Sequence, residues 1–133
     1  MNKIDNLEEK LKNNGFHLMK SEKSGYFGDY IIDWVSDTIV VRISSDRSFE
    51  SIDICRINDN NENFDLVLIK AMLQSEQDFN KEEDIESLVD FFVEHFDKII
   101  QIFNEDQYTE TKKQLEALQK RRVSQMFPNW NLK

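Results

Sequence analysis

Apolar residues along the chain alternate between two spacings. Ile4, Leu7 and Leu11 recur every three to four residues, which predicts a short amphipathic helix over 3–13, stopped by Asn13, Asn14 and Gly15. Phe16 to Met19 suggests a short strand. The spacing then drops to two. Tyr26 to Val35 places Tyr26, Gly28, Tyr30, Ile32 and Trp34 on one side, and Phe27, Asp29, Ile31 and Asp33 on the other. Thr38 to Ser44 sets Ile39, Val41 and Ile43 against Thr38, Val40 and Arg42. Phe49 to Ile57 sets Ile52 and Ile54 against Ser51, Asp53 and Cys55. The breaks at Ser36-Asp37 and Ser45 to Ser48 are short, so an antiparallel meander is expected, because a parallel crossover needs a dozen or more residues.

Beyond the polar stretch Asn58 to Asn63, the helical spacing returns. Phe64 to Leu73 fits helix or strand, with Ala, Met, Leu and Lys favouring helix. From Asp84 to Phe103 the residues Ile85, Leu88, Val89, Phe92, Phe96, Ile99, Ile100 and Phe103 stay within one broad stripe, which predicts a single long helix. Asn80 and Glu83 resemble a capping arrangement at its start. Tyr108 to Val123 carries a thinner seam of Tyr108, Leu115 and Leu118, and Pro128 ends anything helical before Trp130. The expected fold is α+β: an antiparallel sheet of three to four strands packed on the 84–103 helix, flanked by N- and C-terminal helices. No internal repeat or low-complexity linker divides residues 1–133, so one domain is expected.

Composition adds limits. A chain of 133 residues with ten Phe can bury a core without disulfides or metal, although 32% of it is charged. Cys55 is the single cysteine, so no intramolecular disulfide can form. MNKIDNLEEKLKNNG lacks the apolar stretch of a signal peptide, and no run approaches the ~18 apolar residues of a membrane span. A cytoplasmic location is the expectation.

The net charge of −9 disfavours nucleic acid and anionic membranes as partners and suits a basic protein. The acidity is concentrated. Residues 76–110 hold twelve acids against Lys81 and Lys98. Glu83, Glu86, Asp90, Glu94 and Asp97 recur at three- and four-residue intervals and form one helical stripe. Such a stripe is either a solvated face or a field that attracts a basic partner. The basic cluster Lys112, Lys113, Lys120, Arg121 and Arg122 is expected to pair with that helix or complement a helix C-terminus. Tyr26, Tyr30 and Trp34, one strand face of residue types common at binding hot spots, are a second candidate surface, with burial under the helices as the alternative.

Candidate chemistry is thin. His17 and His95 sit on different elements, and His95 falls at the border of the apolar stripe as a packing residue would. Asp29 and Asp33 share a strand face, where exposed sheet positions account for them as well as acid–base chemistry does. Cys55 and Arg56 point to opposite faces. No catalytic residue, metal or cofactor is expected.

The series Tyr26-Phe27-Gly28, an aromatic strand, Arg42, Ser45-Asp46-Arg47 and Phe49 through Asp53 resembles small bacterial immunity proteins of polymorphic toxin systems. In that pattern an Asp-Arg turn is usually followed by Gly, where this chain has Ser48. The resemblance spans residues 26–54. It implies a single-domain cytosolic protein that binds and blocks a toxin, with no catalytic residues. A homodimeric secretion-type chaperone for an effector protein is the alternative for a small acidic α+β chain, and a small enzyme is the third.

Overall fold

A computed structural model describes residues 3–23, 28–47, 49–59, 62–75 and 84–126. The chain is α+β: a five-stranded antiparallel open sheet in the order β1-β2-β3-β4-β5, packed against helices. Helix α1 (Lys3–Asn13) ends in a turn where Gly15 adopts φ +85, a conformation cheap only for glycine. Strands β1 (His17–Lys23), β2 (Tyr30–Val35), β3 (Ile39–Asp46) and β4 (Phe49–Arg56) follow as a meander, and β5 (Phe64–Asp65) closes the far edge. Helices α2 (Leu66–Gln74), α3 (Ile85–Glu94), α4 (Phe96–Ile102) and α5 (Tyr108–Met126) complete the fold.

The meander and the first helix agree with the periodicity, and other expectations are corrected. The sheet has five strands rather than three to four, because β1 extends to Lys23 and Phe64-Asp65 adds a short edge strand. The ambiguous 64–73 segment is both things in succession. Asp65 ends the strand and its Oδ1 accepts the Val67 N–H at 3.0 Å, capping α2. The 84–103 helix is two helices broken at His95, whose backbone leaves the helical region at φ −108, ψ 23. Its Nδ1 lies 3.1 Å from the Phe91 carbonyl, and its ring stacks on Phe91 at 4.5 Å. The side chain thus engages the carbonyl that the helix ladder uses, which bends the ladder there. The cap of α3 is Asp84, which accepts the Ser87 N–H at 2.7 Å; the expected Asn80 and Glu83 lie outside the described residues. Finally, α1 packs on α3 as expected, but α5 packs on α2.

The core sits between the helices and one sheet face. Ile39, Val41, Ile43, Ile52, Ile54 and Phe64 from the sheet meet Leu7, Leu11, Leu88, Phe92 and Ile99 from the helices, all essentially inaccessible to solvent. Phe92 and Phe96 meet edge to face at 5.6 Å, and Phe96 packs likewise on Phe16 at 6.1 Å. The opposite sheet face is therefore left to carry something else.

Candidate functional site

That second face is built by register. Residues directly opposite in an antiparallel pair point to the same side. Lys20 pairs with Asp33, Asp33 with Arg42, Arg42 with Asp53, and Asp53 with Asp65. Five strands thus contribute one transverse row of ionisable side chains. Arg42 closes a bidentate pair on Asp33, Nε to Oδ1 at 2.8 Å and the second guanidinium nitrogen to Oδ2 at 2.9 Å. Asp33 is 1% exposed, so the pair is buried on its acidic side. The hydrogen bond to Asp33 raises the Arg42 pKa further above its ordinary value. At the far end Arg122 of α5 donates to Asp65 Oδ2 at 2.9 Å.

One member of the row is left over. Asp53 makes no hydrogen bond or ion pair among the described residues, and it faces the Asp65 carboxylate. Burial, then the Asp65 charge, push its pKa up to about 6, against smaller opposing effects of Arg42 and Arg122. Asp53 and Arg42 line a groove of about 550 Å³ that runs past Ser44 to Ile31, Asp29 and Glu22. The hydroxyls of Ser44 and Ser51 bond each other at 3.0 Å in the next row. At the end of the β3–β4 hairpin Arg47 adopts φ 53, and its N–H donates to Asp29 Oδ1 at 2.7 Å. Asp29 therefore helps to hold this turn. Neither Asp29 nor Asp33 is an idle exposed carboxylate, since each fixes a partner.

The residues singled out by sequence fall in three places. Glu86, Asp90 and Glu94 are exposed on α3 and Asp97 on α4, on the helical side of the molecule. Asp90 is paired with Lys3 at 2.9 Å across the α1–α3 contact. Tyr30 and Trp34 pack against the core edge, each spending its polar tip internally. The Tyr30 hydroxyl donates to Glu50 at 2.9 Å and the Trp34 indole N–H to Glu8 at 2.8 Å. Burial pushes the Tyr30 hydroxyl pKa up. Tyr30 alone of these residues also borders the groove. Tyr26 and Glu83 lie outside the described residues. Two members of the basic cluster pair elsewhere than on the acidic helix: Lys112 bonds Asp59 at 2.7 Å and Arg122 bonds Asp65.

Chemistry at the remaining candidates is muted. His17 is exposed on β1, His95 is the stacked residue of the helix break, and Cys55 is buried with its thiol pKa pushed up by that burial. Among the described residues no three or more His, Cys, Asp or Glu side chains are grouped so as to hold a metal ion. No described helix is long and apolar enough to cross a membrane.

Sequence reasoning placed Arg42 and Asp53 on the mixed strand face but missed the row. Its signal was the recurrence of one ionisable residue near the middle of each strand; the pairing of those residues depends on register. No family model matches this chain, and searches of curated proteins and of solved structures find no match.

Proposed function

We propose that this chain is a non-catalytic cytoplasmic protein that binds a basic protein partner, in its most concrete form an immunity protein that neutralises a toxin by occupying it. One observation carries the reading: Asp53, a carboxyl group that makes no ion pair among the described residues, lies at the wall of an open groove and is set directly across from Asp65. Like charges directly opposite on neighbouring strands are destabilising. A chain that breaks a local rule without internal compensation commonly does so where it functions. A lysine or arginine of the partner entering the groove completes the alternation of sign along the row. The exposed acids of α3 and α4 face the other way, so their part is to raise the encounter rate with a basic partner rather than to dock it. The resemblance of residues 26–54 to toxin-immunity proteins supports the choice of partner class.

A homodimeric chaperone for a secreted effector is the second reading, favoured by the open edge of β1. The experiment that separates them starts with affinity capture of the tagged chain from its host. The identified partner's association is then measured against wild type and Asp53→Lys. A basic toxin, inhibited stoichiometrically and bound at least tenfold more weakly by Asp53→Lys, is the expected result. A partner that is not a toxin, or one bound equally by both proteins, overturns it.

A further inference from the structure

Among the described residues, strand β1 is the outer strand opposite β5, hydrogen-bonded to β2 along one side only. It is exposed along its whole length except at half-buried Lys20, so the helical layer does not reach over it. Natural sheets guard such an edge with charge or with a bulge. This edge has a bulge between Leu18 and Lys20, yet its charges are of both signs. Lys20 and Glu22 flank Ser21, and both point to the open face, because they pair with Asp33 and Ile31.

We propose that β1 is the contact surface for a second copy of this chain, the two strands pairing antiparallel about a two-fold axis at Ser21. The register follows from geometry. Joining two sheets edge to edge by a two-fold axis perpendicular to them makes open face continue into open face. Each residue must then meet one that points to the same side in its own chain. Centring the pair on Lys20 sets two lysines against each other, and centring it on Glu22 sets two glutamates together. Centring it on Ser21 brings Lys20 of each copy opposite Glu22 of the other, so the strand is complementary to itself in that register.

Three details fit this arrangement. Lys20 Nζ and Glu22 Oε1 lie 3.7 Å apart within the strand, well beyond the ~2.7–2.9 Å of a direct charge-assisted bond, so the pair is loose enough to be exchanged. Met19 and Leu18 are 57% and 54% exposed, an unusual placement for adjacent large apolar residues. In this register Lys23 of the second copy runs alongside Met19, where its alkyl stem covers apolar surface while its ammonium stays in water. The transverse row also extends: Lys20 comes to sit between Asp33 of its own chain and Glu22 of the other copy.

The inference does not depend on which ligand the groove takes, although Glu22 lines one end of it; charge reversal, read out as dimerisation alone, tests it. Sedimentation equilibrium of the full chain should show a dimer. Lys20→Glu and Glu22→Lys should each weaken dimerisation by roughly tenfold to a hundredfold, because each turns both symmetric contacts repulsive. An equimolar mixture of the two single variants should regain the dimer, since every contact across the mixed pair is again of opposite sign. The double variant K20E/E22K should regain it too. Circular dichroism of each variant should show the wild-type fold. A wild-type chain that stays monomeric to millimolar concentration, single variants that dimerise like wild type, or a mixture that stays monomeric overturns the proposal.

Discussion

Ile52 and Ile54 on one side of β4 and Ser51 and Asp53 on the other are neighbours one pleat apart, yet different forces decide what each may be. The helix-facing side is held by burial of apolar area, which is non-directional and tolerates any register that keeps large side chains inside. The open side is held by a pair that exists only in one register, Arg42 on Asp33. A one-residue slip of β3 against β2 would bring apolar residues out of the core and break the guanidinium pair at once. The apolar face therefore supplies stability, while the charged face discriminates among alternative pairings. The open face also carries Asp53, which makes no ion pair among the described residues and faces the Asp65 carboxylate, a cost the apolar side can absorb.

The contrast is broken most severely from the apolar side. Phe92 is fully buried, and Phe92→Ala should cost about 3–5 kcal/mol through lost area and the cavity left behind. Urea unfolding would show this as a drop in midpoint, and an unchanged midpoint would contradict the packing described.

On the charged side the largest loss should come from Arg42→Leu, which strands Asp33 in a buried position. Complete burial of such a pair makes removal of one partner worth ~3–5 kcal/mol; the Arg42 side chain is 36% exposed, so about 2–3 kcal/mol is expected. Adding Asp33→Asn to Arg42→Leu should recover part of it. A double variant no more stable than Arg42→Leu would mean that the pair is not the source of the cost.

Asp53 should behave in the opposite sense. Its folded pKa is raised, so the folded protein binds more protons there than the unfolded chain between about pH 4 and 6. Stability contributed by this group is thus gained as pH falls through 6 towards 4, and at neutral pH the ionised carboxylate is a liability. Asp53→Asn should stabilise the protein at pH 7 by about 1–2 kcal/mol and remove that segment of the pH dependence. Thermal melts of both proteins across this range check the sign. Destabilisation at pH 7 would show that Asp53 has a cation.

The smallest effect belongs to the exposed acids of α3. Exchanging Glu86, Asp90 and Glu94 for Gln, Asn and Gln relieves repulsion along the helix but loses the exposed Lys3–Asp90 pair, so stability should stay within about 0.5 kcal/mol of wild type. The same urea curve measures this. Any loss beyond 1 kcal/mol would make the stripe structural.

The contrast also explains which parts of the fold were legible in the sequence. Periods of two and of 3.6 mark burial, so α1, the β2–β4 meander with its two faces, and the apolar stripe of α3 and α4 could be read directly. β1 was seen only as its first few residues, because a strand exposed on both faces has no alternation to show. The break at His95 was hidden, since the apolar spacing continues through it and its cause is a side chain bonding to a carbonyl. The pairing of Asp33 with Arg42 and the isolation of Asp53 could not be read either. Charges on different strands become neighbours only when register is fixed. The same holds for Lys112 and Arg122, whose partners Asp59 and Asp65 lie 53 and 57 residues earlier.

Helix α5 is 19 residues long but, among the residues whose burial is described, buries only Thr111 and Leu115 fully. Tyr108 and Leu118 add only partly buried apolar contacts, and its polar tethers include Tyr108 and Lys112 on Asp59 near its start and Arg122 on Asp65 near its end. Such an element can detach as a unit while the sheet and the remaining helices stay closed. Its amide hydrogens should therefore exchange with solvent faster than those of α3, and added salt should widen the gap by screening the tethers at both ends. Because Asp65 also caps α2 and ends β5, the departure of α5 would be felt at the last rung of the sheet before it is felt anywhere in the core.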